Sequence, residues 1–412
     1  MMQKRICLVS PGHIASNPRL VKEANALYQA GYQVRVVAGD YMAAVRPLDQ
    51  TLLSKVSWSC DRVGLGNRTQ YLRRRMTQEI ARSLAANIGI SHLSLATWAH
   101  HPMSYQLARV AAAEPADLYI AHCLAALPAA AIAAQKHQAY LGFDAEDFHV
   151  GELAETPQNQ TEIAVRDYIE RALLPHCDHL TAASPMIAEA YVKRYGVKMK
   201  SILNVFSLDE ASSSPEQVKS DRVGTEPSLY WFSQTIGPGR GLEVVIQAMG
   251  QMQTPVRLHL RGLLAAEYQN ELEQLAKAVG VGDRIHLLSS APPSEMVRLA
   301  AEHDIGLSME LTEPYNRSIC LTNKIFAYLL AGLPVLMSNT PAQIELAEKL
   351  GEAAVIVDST DPLGIAVTLD QWLINSHHLN VARATAWTLG QKIYNWDVEQ
   401  YHFLAAVEQV WQ

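Results

Sequence analysis

Short apolar runs alternate with helix-patterned stretches along most of this 412-residue sequence, and the alternation breaks off once and then restarts. That rhythm constrains the fold more than any single motif. A strand buried on both faces reads as a continuous apolar run, and parallel strands need a helical crossover between them. "RICLVS" is such a run and ends at Pro11–Gly12. Leu20, Val21, Ala24, Leu27 and Tyr28 then share one face of a helix that Gly31 stops. "QVRVVAG", "DLYIA", "AYLGFD", "HLTAAS" and "KSILNV" read as further strands. The Ala-rich "LAALPAAAIAAQ", residues 161–175 and the segment opened by Ser184–Pro185 read as helices between them. Only the stretch between "QVRVVAG" and "DLYIA" is poorly patterned.

Residues 207–228, "SLDEASSSPEQVKSDRVGTEPS", are rich in Ser, Pro and charge and have no periodicity, so they read as a linker. After them "SLYWF", "VRLHLRG", "RIHLL", "DIGLSM" and "PVLMS" are strands separated by helices. In the closing segment Phe403, Leu404, Val407 and Val410 lie at helical spacing. The expectation is an α/β chain with two doubly wound Rossmann-like domains facing a cleft. Residues 1–206 form the first domain, 207–228 the linker and 229–390 the second domain. A helix in 391–412 packs back toward the first.

Composition supports two domains, each with a real core. The sequence is 49% hydrophobic and 18% charged, which excludes wholesale disorder. The net charge of -7 is uneven: residues 1–205 hold 21 Lys+Arg against 17 Asp+Glu, and the remainder 13 against 24. A basic first half suits an anionic partner or plain surface decoration. Cys7, Cys60, Cys123, Cys177 and Cys320 are odd in number, widely spaced and without a CxxC pair. They fit a reducing compartment with neither a disulfide framework nor a zinc knuckle. No apolar run is long enough to span a membrane or serve as a signal peptide, so a cytoplasmic protein is expected. The basic run "QYLRRRMTQEIARSL" has Leu72, Met76, Ile80 and Leu84 on one side of a helix. A solvated basic face accounts for it; peripheral contact of Arg73, Arg74 and Arg75 with anionic lipid at the inner membrane face is the other reading.

Ligands in doubly wound sheets sit outside the carboxyl ends of the strands, so the loops that follow strands carry the chemistry. In "SPGHIASNPRL", Gly12 allows close backbone approach, Ser16 or Asn17 can cap a helix, and Arg19 adds positive charge to its anion-attracting end. His122 follows a strand directly in "YIAHCLAALP". Asp144, Glu146 and Asp147 crowd another strand end, where carboxylates can act as acid, base or hydroxyl acceptor. In "FSQTIGPGRGLE", Gly237, Gly239 and Gly241 surround Arg240 just before a helix. Backbone N–H groups and a guanidinium together can hold a diphosphate. Neither a GxGxxG fingerprint nor a P-loop is present. Arg261–Gly262 is a weaker candidate of the same kind. In "NRSICLTNK", Ser318, Thr322 and Asn323 sit at a helix mouth, and Lys324 lies in the first turn, where a cation is disfavoured unless an anion offsets it. No metal site is evident.

At these loops the sequence resembles the family-4 glycosyltransferases, a retaining group with the GT-B fold. The likeness runs over "SPGHIASNPRLVKEANALYQAGYQVRVVA", "DLYIAHCLAALPAA", "FDAEDF", "WFSQTIGPGRGLE", "LHLRG" and "TNKIFAYLLAGLPVLMSNTPAQ". The resemblance implies a nucleotide-sugar donor, UDP- or GDP-linked, on the second domain. Gly237, Gly239, Arg240, Arg261, Ser318, Thr322, Asn323 and Lys324 would bind it. Gly12, Asn17, Arg19, Asp144 and Glu146 would face a glycan, lipid-linked or small-molecule acceptor. His122 and Arg240 would be catalytic, with no cofactor and no metal. Two departures stand out. The family's paired glutamates, the second of which holds the ribose, correspond here to Ile319 and Ala327. The acceptor-side "DAHE" block reads Asp144–Ala145–Glu146–Asp147, without its His. The expected activity is metal-independent glycosyl transfer with retention. A non-catalytic nucleotide-sugar or glycan-binding protein and a sugar-nucleotide epimerase are the alternatives.

Overall fold

The computed structural model describes residues 3–211 and 226–412. The chain divides into two compact units. One is Met1–Leu203 with Pro314–Asn316 and Gln400–Gln412; the other is Asn204–Glu313 with Arg317–Glu399. Most of the linker segment, residues 212–225, lies outside the described residues.

The first unit is built on a seven-stranded sheet. Its strands are β1 (Arg5–Ser10), β2 (Gln33–Asp40), β3 (Ser59–Gly64), β4 (Leu118–His122), β5 (Tyr140–Ala145), β6 (His179–Ala182) and β7 (Lys200–Ser201). They lie in the order β3-β2-β1-β4-β5-β6-β7, and every pair is parallel. Cys7 stands between Arg35 of β2 and Tyr119 of β4. The apolar runs are the central strands, and β4 is buried at every position. β3, "SCDRVG", escaped the apolar pattern because it is an edge strand with one fully buried residue. The strand expected at "KSILNV" shrinks to two residues at the opposite edge.

Helices cover the sheet. α1 (Pro18–Gln29) starts at Asn17, whose side chain accepts from the Leu20 amide, and has Pro18 at its first turn. α2 (Arg46–Leu53), α3 (Arg68–Ile88) and α4 (Leu93–His100) fill the poorly patterned stretch. The closing helix Trp396–Glu408 returns to this unit through residues 400–412. Phe403 is fully buried with its ring 6.0 Å from His179, and Trp411 meets Tyr32 and Tyr140.

The second unit has a six-stranded parallel sheet. Its strands are β8 (Ser228–Ile236), β9 (Arg257–Leu264), β10 (Ile285–Leu288), β11 (Ile305–Ser308), β12 (Val335–Ser338) and β13 (Ala354–Val357). The order is β10-β9-β8-β11-β12-β13. Leu229, Trp231, Leu258, Leu260, Leu307 and Leu336 form its buried centre with Leu242, Val245 and Ile246 of the following helix. β8 runs four residues past "SLYWF" because the β8–β9 pairing shifts register between Phe232 and Thr235. The bulge carries the chain on to Gly237.

Both sheets reverse their winding next to the first strand of the unit, between β1 and β4 in one and between β8 and β11 in the other. The loops leaving those strands therefore gather at the switch points. Among the described residues no helix is long and apolar enough to cross a membrane.

Candidate functional site

In the first unit the residues singled out from the sequence do meet, but they meet inside the protein. Arg19 is 1% exposed and grips Asp144 with two parallel bonds, Nε to Oδ2 at 2.6 Å and Nη2 to Oδ1 at 2.7 Å. Its Nη1 donates to the Ile202 carbonyl at 2.6 Å. Glu23, one turn along α1, stands 3.3 Å from Arg19. His122 lies among three carboxylates: Glu23 at 3.3 Å, Asp144 at 3.4 Å and Glu146 at 3.5 Å. Thr181 donates to Asp144 at 2.6 Å, and Asn17 links α1 to Glu146 at 2.5 Å.

The charges are set by this company. Burial opposes the charge on His122, but Glu23, Asp144 and Glu146 together outweigh it, so its proton is held well above the ordinary range. Burial would raise Asp144, yet Arg19 and His122 keep its carboxyl well below the usual range. Burial and the neighbouring Asp144 push Glu23 upward. The charges of this buried cluster balance, although Glu23 and His122 meet their neighbours as ion pairs without a hydrogen bond of good geometry.

This corrects the expected roles of His122, Arg19 and Asp144. His122 and Asp144 have no exposed surface, so neither can touch a substrate in this conformation. Arg19 turns inward instead of presenting its charge at the helix mouth. Glu23, His122 and Asp144 have ligand atoms within 4.8 Å of one another, a spacing that would suit a cation. Both Asp144 oxygens already accept from Arg19, so the donor set does not suit one. Glu23 was invisible from sequence because it looks like an ordinary helix-surface residue.

The loop after β1 is also tied down. His13 Nε2 accepts from the Tyr41 and Met42 amides at 3.0 and 2.8 Å, which leaves Nδ1 to donate to Asp49 at 2.6 Å. Asp49 also accepts from the Ala15 amide at 3.0 Å. Gly12 donates to Ser10 Oγ at 3.3 Å and stays partly open, as does Glu146. Asp147 accepts from Asn316 at 2.6 Å.

The second unit's switch point is built differently. Gly239 and Gly241 have φ of 71° and 67°, the left-handed region that glycine enters without strain. A Cβ on Gly241 would stand 2.5 Å from the Met309 carbonyl, so only glycine lets this loop lie against the end of β11. Arg240 rides between them, half-buried, and Gly237 has no neighbour that a Cβ would meet.

Across from this loop, Lys324 donates to Glu310 at 3.0 Å and lies 5.5 Å above the Trp231 ring. Glu310 is 4% exposed. Burial pushes its carboxyl up, but Lys324, then Arg240 and Arg317, outweigh that and hold it below the usual range. Arg317 also donates to the Gly239 carbonyl. The glycine loop, the end of β11 and the mouth of the helix Asn323–Leu330 therefore share one neighbourhood. Thr322 precedes that helix without a side-chain cap, and its hydroxyl is 3.4 Å from that of Ser308. Asn323 is half-buried beside it, and Ser318 is buried in the short helix Tyr315–Ile319.

One expectation needs correction here. The anion that offsets Lys324 is the internal carboxylate of Glu310. Arg261 gives two of its five donors to Tyr230 Oη at 2.9 Å and the Ser289 carbonyl at 2.8 Å, so it braces neighbouring strands. Glu310 and Arg317 were missed, although Glu310 closely follows the apolar run "DIGLSM". Lys324, Arg240 and Arg317 against Glu310 leave a net positive charge of two, beside a helix N-terminus that has no side-chain cap. That combination suits a doubly charged anion such as a diphosphate.

Residues 16–203 match the family described as Glycosyl transferase 4-like domain. No protein with a curated description matches the sequence. Among solved structures, Anabaena Alr3699/HepE in complex with UDP and glucose has a TM-score of 0.72 at 17% identity, covering 98% of this chain and 100% of that one. Sucrose-phosphate synthase (tll1590) from Thermosynechococcus elongatus has a TM-score of 0.73 at 15% identity, covering 99% of each. WaaG, a glycosyltransferase involved in lipopolysaccharide biosynthesis, has a TM-score of 0.60 at 15% identity, covering 98% of each. At these identities the likeness is one of fold, two parallel sheets of the GT-B kind.

Proposed function

We propose that this chain, whose residues 16–203 match the Glycosyl transferase 4-like domain and whose fold is of the GT-B kind, transfers a sugar from a nucleotide diphosphate to a hydroxyl acceptor with retention of anomeric configuration. The observation that carries this reading is the gathering of Arg240, Arg317 and Lys324 about Glu310 at the second sheet's switch point. A UDP-sugar is the favoured donor, since the Anabaena relative was solved with UDP, with UDP and glucose, and with UDP-glucose.

In the proposed mechanism the acceptor hydroxyl attacks the anomeric carbon from the face the leaving group departs. The bond to the diphosphate breaks, and the acceptor's proton leaves with the departing phosphate. Negative charge that grows on the diphosphate is met by Arg240, the amides of the glycine loop and the amides at Asn323 and Lys324. The protein supplies that charge itself, so the reading is metal-independent. Lys324 acts at close quarters because Glu310 fixes its position and Trp231 lies under its ammonium. Ala327 and Ile319, both buried, offer the ribose no carboxylate, so ribose contact falls to other groups of this unit.

The test is transfer from radiolabelled UDP-glucose and other UDP- and GDP-sugars to a pool of glycan and lipid-linked acceptors. Arg240→Ala should raise the barrier by about 2–4 kcal/mol, lowering turnover roughly 30- to 900-fold. Unchanged turnover removes Arg240 from this role. Interconversion of donor sugars without any acceptor would instead identify an epimerase.

A further inference from the structure

α3 presents a face that the packing of its unit leaves uncovered. It buries Gln78, Ala81 and Ala85, so its large apolar side chains point outward. Leu72 is 50% exposed, Met76 65%, Ile80 59%, Leu84 43% and Ile88 77%. Their spacing of four residues makes one continuous ridge, roughly 24 Å long at 1.5 Å per residue. An ordinary surface helix turns such a row toward the core.

Arginines border the ridge. Arg68, Arg73 and Arg75 are exposed, and among the described residues no carboxylate pairs with Arg68 or Arg73. The single acid of the helix is Glu79, 3.6 Å from Arg75 and 3.9 Å from Arg82. Arg82 is otherwise engaged with the Ala99 carbonyl and Glu162. Arg74, expected from sequence to reach outward, instead donates to the Leu65 carbonyl at 2.7 Å.

We infer that α3 is an interfacial helix that seats its ridge from Leu72 to Ile88 in the headgroup region of an anionic bilayer, with Arg68, Arg73 and Arg75 on lipid phosphates. Charge complementarity selects this occupant. The apolar row gains by leaving water, and the flanking guanidiniums gain by meeting anionic headgroups. A second copy of this face would bring like charges together across a two-fold axis.

The full chain is floated with vesicles of phosphatidylcholine alone and of phosphatidylcholine mixed with phosphatidylglycerol. Binding to the mixed vesicles should exceed binding to the neutral ones about tenfold and weaken as salt rises. Arg73→Gln should cost about fivefold. The pair Met76→Glu with Ile80→Glu should abolish flotation; both positions are exposed, and an unchanged far-UV circular dichroism spectrum verifies that the fold is kept. Absence of binding to the mixed vesicles overturns the proposal, as does a Met76→Glu, Ile80→Glu variant that floats like the parent. A concentration-dependent dimer that this variant loses, without vesicle binding, overturns it in favour of self-association.

Discussion

The two switch points use the same ingredients and spend them differently. In the first unit arginine, histidine and carboxylates neutralise one another's charge in a sealed cluster of Arg19, Glu23, His122 and Asp144. In the second, a half-buried Arg240 on a glycine loop and an uncapped helix mouth remain open, while Lys324 is held by Glu310 and Arg317 by the Gly239 carbonyl. Proximity to a strand end thus does not make a polar residue a ligand group. What decides is whether the fold already supplies its counter-charge.

The sharpest way to break this contrast is to remove Arg19. Arg19→Met strands Asp144 and Glu23 without their cation and should destabilise the first unit by about 3–5 kcal/mol. Urea denaturation followed through Trp58 and Trp98 measures it, and nucleotide-sugar affinity of the remaining folded protein should not change. A variant as stable as the parent would show that the cluster is not a structural one.

Acid should separate the units next. Burial lowers His179 to about 4 from 6.5, against a smaller pull from its bond to the Ala406 backbone. Between those values the unfolded chain binds a proton that the native chain refuses, so stability falls as pH drops from 6.5 toward 4. The loss is on the order of 3 kcal/mol. Glu162 is shifted the same way and acts in the same direction: burial raises it, but His100 and Arg166 take it down to about 2, so its contribution is present above 4.5 and fades below. First-unit tryptophan signals should therefore fade before those of Trp231 and Trp372 as pH is lowered. His179→Phe should flatten the upper part of that profile.

The smallest expected effect concerns Arg261. Its contacts with Tyr230 and Ser289 are partly exposed, so Arg261→Lys should cost under about 1 kcal/mol of stability and leave donor KM unchanged. A large rise in KM would restore it to the donor site.

Much of this was readable in advance, and the failures share a cause. Apolar runs identify the central strands because those are buried on both faces, whereas the half-exposed edge strand "SCDRVG" carries no such mark. Glycine and arginine in "GPGRG" are legible because positive φ and close approach to Met309 admit one residue type. The direction of Arg19 is not legible, since its partner Asp144 is 125 residues away. Lys324 gave a true signal, a cation where one is disfavoured, but its answer was Glu310, 14 residues upstream. α3 shows the same limit: its apolar row is plain in sequence, yet which side of the helix is buried depends on the small residues Ala81 and Ala85.

Calorimetric titration of UDP-glucose into the parent chain and into Arg240→Ala tests the central claim most directly. The account predicts saturable binding to the parent and at least a tenfold weaker Kd for the variant, both with the fold intact. Equal affinity in the two proteins would contradict it.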